Sequence, residues 1–316
     1  MSIRLQSLIL AVIIIGSIAV TYAYDKATAE IENTTTQEEA TVVSTESGSV
    51  YSRPKPQETK ILPVRKWEVL DPAVDAEAVM IQSLDSNFPF FNYQTYKQWP
   101  MASVSKLITA IVVAEDFGMN KRIPITEEAL TTEGIAGELK SGEVYVAEDL
   151  LKILLLVSSN DAATAFEEYA GGRDAFIALA TKKIAAIGMT QTVMKDASGL
   201  SPENVSTASD LIKLARYLTE KHPQIISWTR LEQYLVQPVN DSASRTVYNI
   251  DSFVREARFL GGKTGTSPAA RENLLAFFTF GNERLAFIIL GSHDRYNQTN
   301  NLLRWIREAY IFNSND

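Results

Sequence analysis

The chain contains no cysteine, so disulfide frameworks, thiolate metal sites and cysteine nucleophiles are excluded. Histidine is nearly absent too: there are only 2, His222 in "EKHPQ" and His293 in "GSHDR". Both stretches read as surface loops, which sets aside the commonest general base. A basic excess is also missing. Lys and Arg total 30 against 38 Asp and Glu, for a net charge of −8. The basic stripe of a nucleic-acid binder is therefore not there, and no nucleic-acid partner is expected. Neither an internal repeat nor a second independent domain is evident. What remains is a chain of 316 residues, 46% of them hydrophobic, enough for one large domain with appendages.

The first appendage is apolar. "LQSLILAVIIIGSIAVTYAY", residues 5–24, carries no charge. At about 1.5 Å per residue a helix of this length spans about 30 Å, one bilayer core. Arg4 suits the cytoplasmic side, and Tyr22 and Tyr24 suit the outer interface. Residues 1–24 are therefore expected to be an N-terminal anchor in the cytoplasmic membrane, with everything after it extracytoplasmic. A signal peptide cleaved after "TYA" is the alternative. Residues 25–65 are rich in Thr, Glu and Ser and end in closely spaced prolines. Such a segment buries too little surface to offset its ordering entropy and is expected to be a flexible tether, with a reach of about 35 Å. Residues 66–316 are then the folded domain.

Within that domain, "AEAVMIQSL" and "FPFFNYQT" read as two strands around the turn "DSN". Helical periodicity follows from Ser103 and recurs in "VAEDLLKILLLV", "AATAFEEYA", "RDAFIALATKKIAAIG" and "ASDLIKLARYLTEK". Strand character returns in "RFLGGKTGT", "ENLLAFFTF" and "RLAFIILGS", and "TNNLLRWIREAYIF" reads as a closing helix. The expectation is an α/β domain whose sheet is built from both ends of the chain, with helices inserted between.

Three short motifs carry chemistry. In "WPMASVSKLITAIVV", Ser103 and Lys106 lie three residues apart, and so on one face, where a helix begins. The helix start places positive dipole beside Ser103. A capping serine with a solvated lysine is the bland reading. A second Ser-x-x-Lys, Ser52 to Lys55, falls in the expected tether, where no helix orients it. "LLKILLLVSSNDAATAF" sets Ser158, Ser159 and Asn160 directly after an apolar run, which alone reads as a junction between helices. "GGKTGTS" sets Lys263, Thr264, Gly265 and Thr266 on a strand, which alone reads as a polar edge.

In this order and these contexts, Ser-x-x-Lys, Ser-x-Asn and Lys-Thr-Gly resemble the signature set of penicillin-binding proteins and serine β-lactamases. The chain most resembles the D-alanyl-D-alanine carboxypeptidases among them, from about Val74 to Phe312, with "KDASGLSPEN" as a further matching stretch. The resemblance implies a serine β-lactamase/DD-peptidase-like fold: a mainly antiparallel sheet plus a helical subdomain. It implies Ser103 as the acylated nucleophile, Lys106 as its general base and Ser158 as a proton relay toward the leaving amine. Asn160 would hold the substrate backbone. Lys263 would lend positive charge, and Thr264 and Thr266, flanking Gly265, would take the substrate carboxylate. The backbone N–H groups of Ser103 and Thr266 would form the oxyanion hole. The partners implied are peptidoglycan stem peptides and β-lactam antibiotics, and neither cofactor nor metal is expected.

The chemistry is coherent with that assignment. A serine without cysteine or histidine nearby needs another base, and lysine serves only when deprotonated, a state favoured by burial and by the second cation Lys263. Thr266 stands where these carboxypeptidases often carry His or Tyr, which leaves the division between hydrolysis and transpeptidation open. Many members continue into a β-rich domain and a C-terminal amphipathic anchor; here the N-terminal segment is expected to do the anchoring. A β-lactamase of class A type would need a Glu-x-x-x-Asn water-activating pair, whereas Glu203 directly precedes Asn204. A catalytically silent wall-binding protein of the same fold is the other alternative.

Overall fold

The computed structural model describes residues 62–134 and 136–312. The expected anchor, most of the expected tether and the Ser52–Lys55 pair lie outside the described residues. The fold is organised around a five-stranded antiparallel sheet. Its strands are β1 (Ala78–Ser83), β2 (Pro89–Tyr93), β3 (Phe259–Ser267), β4 (Arg271–Phe280) and β5 (Glu283–Ser292), in the order β3-β4-β5-β1-β2. Both ends of the domain thus meet where β5 pairs with β1. One row of the register runs Lys263, Leu275, Ile288, Met80 and Asn92 across all five strands.

β4 and β5 are apolar without alternation because both sheet faces are covered. Leu274, Ala276, Phe278, Leu285, Phe287 and Ile289 point to one core, shared with the C-terminal helix. Leu275, Phe277, Ala286, Ile288 and Leu290 point to the other, shared with the remaining helices. Those helices are α1 (Lys106–Val112), α2 (Ala147–Leu156), α3 (Asn160–Tyr169), α4 (Arg173–Ile187), α5 (Ala208–Lys221) and α6 (Pro223–Trp228); the C-terminal one is α7 (Arg295–Ala309). Their ends follow local rules. Ser159, Thr207 and Asp294 accept backbone N–H groups as N-caps of α3, α5 and α7, and Gly188 ends α4 in the left-handed region.

Two boundaries differ from the sequence expectation. The closing helix begins at Arg295 and stops at Ala309; Tyr310 and Ile311 are extended and pair with Arg65 and Val64. That pairing sets the first strand of the fold just ahead of residue 66, inside the segment expected as tether. The hairpin ribbon Gln233–Val236 with Arg245–Tyr248 had no clear sequence signal. Among the described residues no helix is long and apolar enough to cross a membrane.

Candidate active site

The site begins with a tight turn. Ala102–Ser105 form a single 3₁₀ turn that runs into α1. In 3₁₀ geometry residues three apart eclipse, so Ser103 and Lys106 stand one above the other. The turn is held from outside: Asn273 of β4 donates to the carbonyls of Pro100 (2.7 Å) and Met101 (3.0 Å), and accepts from the N–H of Gly291. Ala102 is in the left-handed region at φ 46°, a conformation that non-glycine residues hold only when their surroundings impose it.

Lys106 is fully buried, at 0% exposure. Its Nζ lies 2.9 Å from Ser103 Oγ and 2.7 Å from Asn160 Oδ1, and it also meets the Ser198 carbonyl. The Asn160 orientation is fixed because its Nδ2 donates to the Glu133 carbonyl at 2.7 Å. Asn160 Oδ1 and the Ser198 carbonyl can only accept. A neutral amine gives its two N–H bonds to them and turns its lone pair to the remaining neighbour, the Ser103 hydroxyl. Burial holds Lys106 well below the ordinary lysine range; the charge of Lys263 lowers it further, and Asp196 opposes the shift.

The Ser198 carbonyl is aimed by a compact turn. Asp196 Oδ1 accepts the N–H groups of Ser198 (2.8 Å) and Gly199 (2.6 Å) and the Ser198 hydroxyl, and Oδ2 accepts the Ser201 N–H (2.8 Å). Burial raises the Asp196 carboxyl, but these donors outweigh it and hold it low. Gly199, at φ +88°, presses on the active turn so closely that a Cβ would lie 2.2 Å from the Ala102 carbonyl oxygen.

Ser158 follows α2 in the left-handed region at φ 59°. Its Oγ accepts from Lys263 Nζ at 3.0 Å, and Lys263 also donates to the Thr264 carbonyl at 2.9 Å. Burial lowers Lys263 to about 7, with Asp251 pulling it up and Arg295 pushing it down. β3 brings the Lys-Thr-Gly segment against the Ser103 turn. A Cβ at Gly265 would sit 2.7 Å from the Met101 carbonyl oxygen and 3.1 Å from the Ser103 nitrogen. Thr264 is buried and Thr266 exposed, with the Thr266 hydroxyl accepting from Arg295.

Of the eight residues singled out in the sequence, six fall in two groups, Ser103–Lys106–Asn160 and Ser158–Lys263–Thr264; Gly265 lies against the Ser103 turn and Thr266 follows it on β3. The Asn160 carboxamide is bonded once at each end, which leaves one N–H and one lone pair for a substrate. Two further participants, Asp196 and the Ser198 carbonyl, lie in "KDASGLSPEN", a stretch that matched the family with no role attached, and Arg295 had no sequence signal. A backbone acceptor has no side-chain signature, and Arg295 sits in "SHDRYNQ", which carries none of the three motifs. The histidines are elsewhere. His222 is half-buried against Glu115 at 2.7 Å, a firmer setting than a loop surface, and His293 is exposed beside Asp75. Glu203 is 72% exposed and pairs with Lys195.

Residues 66–294 match the family described as D-alanyl-D-alanine carboxypeptidase. The chain belongs to that family. It is 27% identical over 251 residues to the D-alanyl-D-alanine carboxypeptidase DacC of Escherichia coli K12, a match covering 74% of this chain and 62% of that protein. It is 27% identical over 253 residues to the D-alanyl-D-alanine endopeptidase of the same organism, covering 76% and 80%. The crystal structure of a D-alanyl-D-alanine carboxypeptidase from Mycobacterium tuberculosis H37Rv superposes with a TM-score of 0.71 at 26% identity, covering 79% of this chain and 99% of that one. The fold is that of the DD-peptidases, a mainly antiparallel sheet with a helical subdomain.

The Gly265 contact yields a direct test. Gly265→Ala should leave the protein folded by circular dichroism but lower its acylation by penicillin about 10²-fold, because the added methyl displaces the Ser103 turn. Undiminished acylation would show that β3 need not approach so closely.

Proposed function

We propose that the protein is a serine D-Ala-D-Ala carboxypeptidase that removes the terminal D-alanine from peptidoglycan stem peptides, and that β-lactams acylate the same serine. The observation that carries this reading is the Lys106 amine, buried, depressed in pKa and 2.9 Å from Ser103 Oγ. Ser103 Oγ attacks the carbonyl carbon of the penultimate D-alanine while its proton passes to Lys106 Nζ. The oxyanion is received by the backbone N–H groups of Ser103 and Thr266. The C–N bond then breaks, a proton reaches the leaving nitrogen by way of Ser158, and an ester to Ser103 remains for water to hydrolyse.

Substrate binding follows from the same elements. Among the described residues β3 pairs in the sheet only with β4; on its other side the Gly262 N–H is taken by Thr229 Oγ1, and beyond it the stretch from Thr264 to Thr266 would align an extended peptide. The terminal carboxylate fits the hydroxyls of Thr264 and Thr266, with Lys263 and the buried Arg295 supplying positive charge. Two further observations argue against a class A β-lactamase. Glu203 is exposed, and the buried Glu167 is occupied by the Ala197 N–H and by Arg173. The relative named as an endopeptidase favours a second reading, in which the scissile bond lies within a cross-link. Parallel hydrolysis of a monomeric pentapeptide and a cross-linked dimer separates the two.

Labelling with a fluorescent penicillin tests the assignment. Ser103→Ala should take up no label. Lys106→Arg should lose about 10²–10⁴-fold in acylation rate, as badly as Lys106→Ala, because guanidinium keeps its proton. Lys263→Arg should be milder, since that position needs charge and not basicity. Acylation should also fall as the pH drops through the lowered Lys106 value, where the amine becomes protonated. Near-normal acylation by Lys106→Arg removes Lys106 from the mechanism.

We further propose that residues 5–24 anchor the enzyme on the outer side of the cytoplasmic membrane, which their uncharged length supports. The intact protein should sediment with membranes and keep its N-terminus. A mature N-terminus near Tyr24 would instead establish a cleaved signal.

A further inference from the structure

A group outside the motifs bears on the chemistry, given the catalytic reading above. Asp251 is 4% exposed. Its Oδ1 accepts the Phe253 N–H at 3.0 Å and so caps the 3₁₀ turn Ser252–Arg255. Its Oδ2 is buried and has no hydrogen-bond partner among the described residues. The capped turn is clamped between the strand that carries Lys263 and the helix that carries Arg295. Phe253 packs on Phe259 of β3 (6.0 Å) and on Tyr296 of α7 (5.2 Å), and the Ser252 N–H donates to the Tyr296 hydroxyl.

Lys263 is 2% exposed, and both groups that accept its hydrogen bonds, Ser158 Oγ and the Thr264 carbonyl, are uncharged. A buried ammonium held only by neutral oxygens tends to lose its proton unless a counter-charge lies near. The charged groups around it are few. Arg295, from α7, is of the wrong sign to hold a proton there, and Lys106, on α1, offers no anion. Glu272 of β4 is engaged with Arg295 at 3.3 Å. On the neighbouring capped turn Arg255 is exposed and paired with Glu232, and α6, which also packs on β3, brings no charged side chain. The residue before Asp251, Ile250, donates to the Leu156 carbonyl at 3.1 Å, two residues ahead of the Ser158 that accepts from Lys263. Asp251 is the anion that raises the Lys263 value; burial raises the Asp251 carboxyl itself, and the charges of Lys263 and Arg295 oppose that shift.

We propose that Asp251 is a positioning residue for acylation: its carboxylate keeps the proton on Lys263, so that Lys106 and not Lys263 is the amine that goes neutral. Asp196, which raises the Lys106 value, and Asp251, which raises that of Lys263, then act on the two amines in competition. With a shared field and a single deprotonation needed, the balance between these two carboxylates decides which lysine becomes the base.

Asp251→Asn tests this, because Asn caps a turn about as well as Asp and removes only the charge. The readout is the pH profile of the second-order rate of penicillin acylation at low drug concentration, which reports the free enzyme. The alkaline limb should move about 1–2 pH units lower, with the rate on its acid side close to native. Asp251→Ser, which also caps without charge, should shift it the same way, and Asp251→Glu should leave it near its native position. A limb that stays in place in the folded Asn or Ser variant, or a loss uniform across pH, overturns the proposal. Native enzyme that takes up no penicillin at any pH would instead overturn the catalytic assignment itself.

Discussion

A primary amine with two acceptors and one hydroxyl around it has one arrangement in which every group is satisfied and the amine is neutral. Lys106 is in that position, and the rest of the site depends on it. Asn160 and the Ser198 carbonyl take its two N–H bonds, which leaves the lone pair for Ser103. Neither acceptor is held by chance. The Asn160 carboxamide is locked by Glu133, and the Ser198 carbonyl is aimed by a turn wound around the Asp196 carboxylate. The larger architecture serves the same end. Joining both ends of the domain in one sheet gives β3 a rigid backing on β4, and from there Gly265 lets the strand press against the Ser103 turn.

This arrangement opposes stability. Between the lowered Lys106 value and the ordinary lysine range, the unfolded chain binds a proton that the folded chain does not. Stability therefore rises with pH across that window, and at neutral pH the buried lysine is a net burden on the fold. Ala102 and Ser158 add strain, each in a left-handed conformation that costs a non-glycine residue about 1–3 kcal/mol. Two apolar cores, one on each face of the sheet, offset these terms. Activity and stability draw in opposite directions at the same few residues.

Much of this was legible in the sequence, and the reasons are physical. In the proposed mechanism Ser103, Lys106, Ser158, Asn160 and Lys263 act through side chains, and that chemistry requires those residue types at spacings set by a helix start, a helix junction and a strand. The sheet built from both ends could be read because β4 and β5 are long apolar runs and β1, though short, is followed by a turn and a second strand. The stretch that holds Ser198 was legible as "KDASGLSPEN", but the part its carbonyl plays was not, since any residue supplies a carbonyl and only the Asp196 turn aims it. Arg295 and Asp251 were not legible because they reach the site from the start of a helix and from a short turn, and neither has a sequence pattern of its own. The end of α7 was missed because "AYIF" is compatible with a helix, and only the partner strand at Val64–Arg65 draws Tyr310 and Ile311 into extended form.

The neutrality of Lys106 can be measured without passing through a rate. Nuclear magnetic resonance of lysine side chains labelled with ¹³C at Cε and ¹⁵N at Nζ, with the Lys106 signal assigned by its loss in Lys106→Arg, follows its titration in the resting enzyme. The account predicts that Lys106 is deprotonated at neutral pH and takes up its proton only well below the ordinary lysine value of about 10.4. A Lys106 signal that stays protonated up to that ordinary range, in enzyme that still acylates at Ser103, would contradict it.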